Sequence, residues 1–143
     1  MEFGGLAATF EAKCVAETEP IQMKIPSFHD GSFDGFRLHS NSSLHIFLRT
    51  ADKVPHTLAL EGVQALTISE VKEGNIIFDL VFRDAQQATP SDIAELYEVS
   101  PDSEQSKNLL RSAHDKKLRI LELNSSHGAH GLILFETGRI KED

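Results

Sequence analysis

Leu44-His45-Ile46-Phe47-Leu48-Arg49 and, past the break Ala51-Asp52-Lys53-Val54-Pro55, His56-Thr57-Leu58-Ala59-Leu60 carry the pattern that decides the fold. Leu44, Ile46, Leu48, Leu58 and Leu60 all stand on even positions, and side chains two apart share one face of a strand. A helix would need apolar residues three and four apart instead. The same parity extends outward to Phe36 and Leu38, to Leu66 and Ile68, and to Ile76, Phe78, Leu80 and Phe82, giving five strands. Ser40-Asn41-Ser42-Ser43, Glu61-Gly62 and Lys72-Glu73-Gly74-Asn75 supply the remaining turn chemistry. Short breaks between short strands predict an antiparallel meander with its even-numbered side chains in the core. On that register Ile46 and Phe78 are core residues and Asp79 lies on the opposite face.

That opposite face also holds Phe47, Ala59, Ile77 and Val81, so it needs partial cover, and a helix is the expected cover. Thr89-Pro90-Ser91-Asp92 combines a cap, a proline in the first turn and an acid near the positive dipole end, with Ile93, Leu96 and Tyr97 behind it on one face. Ser100-Pro101-Asp102 repeats the start signal, and Leu109, Leu110 and Ala113 form a stripe that stops near Lys116-Lys117. The apolar runs of residues 118–123 and 132–135 then enclose Ser125-Ser126-His127-Gly128-Ala129-His130-Gly131, a closing hairpin with a longish loop. In the first 35 residues, Phe10, Ala12 and Cys14 fit a strand, although Leu6, Phe10 and Cys14 also match helical spacing. His29-Asp30-Gly31 and Asp34-Gly35 read as turns. The expectation is one α+β domain over residues 1–143: an antiparallel meander of seven or eight strands, as a sandwich or open barrel, with two helices before a C-terminal hairpin.

Composition narrows the function classes. Fourteen Lys and Arg against twenty-two Asp and Glu leave a net charge of −8, which repels nucleic acid and anionic membranes unless a local basic patch overrides the average. The apolar runs are far shorter than the roughly 20 residues a membrane helix needs. The lone Cys14 fits a reducing, cytoplasmic setting and reads as a small buried thiol, since no local signature activates it as a nucleophile. No signal peptide is visible, so Asn41-Ser42-Ser43 and Asn124-Ser125-Ser126 read as turns instead of glycosylation sites. Phosphate-binding glycine loops and serine-nucleophile elbows are missing from the sequence, and no cofactor is expected.

Three groups of residues invite a chemical reading. His127 and His130, joined by His29 and Asp30, would form a metal site if the fold brought them together, and a metal-assisted hydrolase is the alternative they define. Asp30, Asp34 and Glu73 are better explained as turn residues than as a carboxylate pair for glycoside hydrolysis. Charge segregation is the least ordinary feature: residues 84–104 carry six acids and no base, while residues 107–119 hold five bases and one acid. The two helices can attract each other through these charges or present solvated faces; if the acidic segment docks a basic protein, Asp92, Glu95, Glu98 and Asp102 are the expected docking residues. The function expected is that of a small non-enzymatic binding module, of adaptor, inhibitor or immunity-protein kind.

Overall fold

The computed structural model describes residues 25–143, and the expectations for Phe10, Ala12 and Cys14 lie outside them. Eight strands form one antiparallel sheet: β1 (Ser32–Leu38), β2 (Leu44–Arg49), β3 (Pro55–Glu61), β4 (Ala65–Ser69), β5 (Asn75–Asp84), β6 (Arg119–His127), β7 (His130–Phe135) and β8 (Thr137–Glu142). Helices α1 (Pro90–Tyr97) and α2 (Glu104–Asp115) are inserted between β5 and β6. The α+β meander with two helices ahead of the last hairpin is therefore the architecture observed. The hairpin differs in detail, because β6 and β7 run into its anticipated loop and leave only Gly128 and Ala129 between them. Asn124 accordingly lies in β6, not in a turn, and donates to Asp79 at 2.8 Å.

The spatial order is β4-β7-β6-β5-β1-β2-β3-β8. β7 passes into β8 through Glu136 alone, and β3 passes into β4 through residues 62–64, yet these pairs stand at opposite ends of the order. The sheet must therefore curl until its ends are joined by one bent two-stranded ribbon, β3–β4 against β7–β8. Backbone bonds hold the bend, from Glu136 N–H to the Glu61 carbonyl (3.0 Å) and from Gln64 N–H to the Leu134 carbonyl (2.8 Å). Gly62 sits at this corner with φ +65°, and the Glu136 side chain occupies the space that a Cβ would need. β8 escaped the sequence reading because Ile140 is its one large apolar residue; it is a short, charged edge strand.

All eight strands feed the interior, with Phe33, Leu44, Ile46, Leu48, Leu58, Leu60, Ile77, Leu121, Leu123, Ile133 and Phe135 buried and Leu66, Ile68, Leu80, Phe82 and Ile140 packed against them. A second cluster lies outside the wall, where Leu96, Ala113 and Leu118 meet Ile120, Leu132 and Leu134. The helices thus cover β4, β7 and β6, not the expected patch around Phe47 and Ala59. Residues 118–121 and 131–135 are buried at every position, which is why 132–135 reads as an unbroken apolar run and 118–121, Arg119 apart, does not alternate.

Thr89 caps α1 by accepting from Asp92 N–H, and Asp92 accepts in return from Thr89 N–H. The second start is displaced: Ser103 caps α2 by accepting from Ser106 N–H, so Pro101 and Asp102 lie in the preceding turn.

The register of β5 departs from the even parity. Ile77 is fully buried, whereas Phe78 is 54% exposed and Ile76 is 41% exposed. Against β6, Ile77 pairs with Ser125 and Asp79 pairs with Asn124, which leaves Phe78 as one extra residue. A bulge of one residue reverses the faces, so the parity is odd at Asn75 and Ile77 and even again at Leu80 and Phe82.

Candidate functional site

The wall of the barrel is weakest between β1 and β5, which pair only at Ser32–Ile76 and Phe33–Asn75. β1 carries its own irregularity, since Phe33 opposes Leu48 and Gly35 opposes Phe47, leaving Asp34 as an extra residue. Gly35 accommodates this with φ +131°, a conformation L side chains resist. The expected Asp34-Gly35 turn is thus a bulge inside a strand. Arg49 grips the bulge, with Nε donating to Asp34 Oδ2 at 2.6 Å and a second nitrogen donating to Oδ1 at 3.1 Å. This hydrogen-bonded carboxylate raises the Arg49 pKa above its ordinary value.

Asn75 fastens the seam where it begins to open. Its Oδ1 accepts from Lys72 N–H (2.7 Å) and Ala129 N–H (3.0 Å), and its Nδ2 donates to the carbonyls of Lys72 (2.6 Å) and Phe33 (3.3 Å). A carboxamide offers two acceptor and two donor positions, and here all four are used. The side chain is buried and ties β1, the loop before β5 and the β6–β7 turn together. Gly128, at φ +97°, has to be glycine because a Cβ there would collide with Asn75 Oδ1.

Beyond Phe33, β1 has no neighbour on its β5 side among the described residues. Phe36 pairs with Ile46 and Leu38 with Leu44, so both point to the interior face, yet they are 41% and 56% exposed. The bond from His39 N–H to the Ser43 carbonyl (2.8 Å) sets the alternation of the β1–β2 ladder. It turns the backbone N–H and C=O groups of Phe36 and Leu38 away from β2, toward the open side. An unpaired strand edge beside apolar side chains results, and Val71, 53% exposed, stands in the loop that Asn75 anchors nearby. Even parity places Phe36 and Leu38 on the core face, but parity reports the face of a strand and not whether anything covers it.

The anticipated docking acids differ in their surroundings. Asp92 is 14% exposed and bound by Arg83 through both oxygens, at 2.8 and 3.1 Å, while Glu122 lies 3.4 Å from the same guanidinium. Burial pushes the Asp92 carboxyl up, but hydrogen bonds from Arg83 and Thr89 and the Arg83 charge outweigh it and hold the pKa below its ordinary value. Arg83 is correspondingly raised, first by its bond to Asp92. Glu95 is exposed, 3.5 Å from His130 Nε2; Glu98 ends α1 in the left-handed region at φ 56°; Asp102 is exposed in the following turn.

The four residues of the metal reading are likewise spread over different surroundings. His29 Nδ1 bonds to the Phe78 carbonyl at 2.9 Å and its ring meets Phe78 edge-on, His29 Nε2 lies 3.7 Å from Asp30, His130 faces Glu95, and His127 is exposed at the end of β6. Among the described residues no group of three or more His, Cys, Asp or Glu side chains is placed to hold a metal ion. Among them, too, no helix is long and apolar enough to cross a membrane. Compared with known proteins, the chain matches no family model, no curated protein and no solved structure.

Proposed function

We propose that this protein is a non-enzymatic protein-binding module that receives its partner along the open edge of β1. The observation that carries the reading is the exposure of Phe36 and Leu38 on the interior face of a strand whose outer backbone groups have no neighbour among the described residues. Apolar exposure beside unpaired N–H and C=O groups is what strand addition uses: main-chain bonds supply affinity and alternate side chains supply selectivity. A net charge of −8 favours a protein partner over a nucleic acid, and a single cysteine suits a cytoplasmic setting.

Affinity capture from the native host tests this, with wild type compared against Leu38→Asp and against Glu95→Lys/Glu98→Lys. Proteins retained by wild type and by the helix variant but lost with Leu38→Asp support the open edge. The same proteins lost only with the helix variant would move the docking site to the acidic helix and overturn it.

A further inference from the structure

The outer face of the same wall shows what kind of segment would fit there. Strand register places Arg37, His45, Ala59 and Arg139 in one row across β1, β2, β3 and β8, and Gly35, Phe47, Thr57 and Lys141 in the next. Neighbouring strands stand about 4.8 Å apart, so each row spans four adjacent positions on a surface that the helices leave uncovered. Arg37, Arg139 and Lys141 are exposed and make no ion pair or side-chain hydrogen bond among the described residues. His39 Nε2 lies 3.3 Å from His45 Nδ1, extending the nitrogen-rich surface toward the β1–β2 turn. The carboxylates at its borders are Asp34, bound by Arg49, Asp143, which accepts from Thr57 Oγ1 at 2.9 Å, and Glu61. Arg37, His45, Arg139 and Lys141 have thus been brought onto one face from β1, β2 and β8 of an acidic chain.

Resting on the reading of β1 as a docking edge, we propose that the occupant is an acidic polypeptide segment, added as a strand beside β1 with carboxylates on one face and apolar side chains on the other. Strand addition gives the guest the same two-residue alternation as the host. Guest side chains on the outer face would meet Arg37, with His45 one strand further on, and those on the inner face would meet Phe36 and Leu38. A second copy of this chain fits poorly, because pairing β1 with itself brings the two Arg37 side chains to the same face at close range, where like charges repel. A polyanionic nucleic acid fits less well than a peptide, because the remainder of the surface repels it and a phosphodiester backbone cannot complete a β ladder.

The test uses the whole chain and four probes: a peptide of about ten residues alternating Glu and Val, the same peptide with Lys for Glu, an N-methylated Glu–Val peptide, and oligothymidylate. The Glu–Val peptide should bind, weaken as salt is raised, and lose about tenfold in affinity with Arg37→Glu, whose thermal midpoint should match wild type. The Lys and N-methylated peptides should bind at least about tenfold more weakly. Equal binding of Glu and Lys peptides, indifference to N-methylation, binding of oligothymidylate alone, or no binding by any probe would overturn the inference. A partner captured through Leu38 but unaffected by Arg37→Glu would also overturn it, while leaving the docking edge intact.

Discussion

β2 and β3 pair at six consecutive positions without a shift, whereas β1 and β5 pair at two and each carries a bulge. In the first pair every even residue from Leu44 to Leu48 and from Leu58 to Leu60 is buried, so pattern and burial agree. In the second, one extra residue in each strand changes which side chains face inward, and the ladder ends where the strands diverge. A continuous ladder makes a wall; an interrupted ladder leaves backbone and apolar surface available to a partner.

The sharpest way to break this contrast is to truncate both parities of β5 and the buried parity of β2. Ile77→Ala and Ile46→Ala should each cost about 2–5 kcal/mol in chemical denaturation, whereas Phe78→Ala should cost under about 1 kcal/mol. A loss at Phe78 equal to that at Ile77 would mean that the bulge is not where Phe78 leaves the core.

Asn75→Ala should follow, at about 2–3 kcal/mol, because it strips partners from buried N–H and C=O groups. Amide hydrogen exchange should then accelerate at Lys72 and Ala129 before it does in β2 and β3. Uniform acceleration would show that the seam is no weaker than the rest of the wall.

The helix-covered side offers a control on electrostatics. Asp92→Asn should cost about 1–2 kcal/mol at neutral pH, since Asp92 both caps α1 and neutralises a largely buried Arg83. The folded-state pKa of Asp92 is depressed, so its stabilisation is full above the unfolded value of about 3.9 and is lost as pH falls through the folded value. The gap between wild type and Asp92→Asn in urea melts should therefore close in acid; a gap independent of pH would assign the loss to the cap alone.

The smallest expected change is at the edge itself, where Leu38→Ser should shift stability by no more than about 0.5 kcal/mol. A loss comparable to that of Ile46→Ala would show that Leu38 is covered in solution, and the open edge would be lost as a docking surface.

Much of this was legible from residue order, for physical reasons that are local. Alternation at residues 44–48 and 58–60 needs only the two-residue repeat of a strand. The α1 cap depends on Thr89 and Asp92 reaching each other's backbone across one turn, a contact that three-residue spacing guarantees. The unbroken apolar run at 132–135 marked a strand that is covered twice, and the run at 118–121 did so with Arg119 in its midst. Which layer covers them depends on where the chain places α1 and α2, and no local interaction encodes that. Bulges at Asp34 and Phe78 were hidden because inserting one residue changes no composition, only the partner opposite it. Arg37, His45 and Arg139 come from three strands, one of them invisible to hydrophobic pattern, and they share one face only when the bent ribbon brings β8 against β3. Chain order sets the period, the caps and the turns; the closure of the barrel sets which faces are covered, which edge stays open and which charges share a surface.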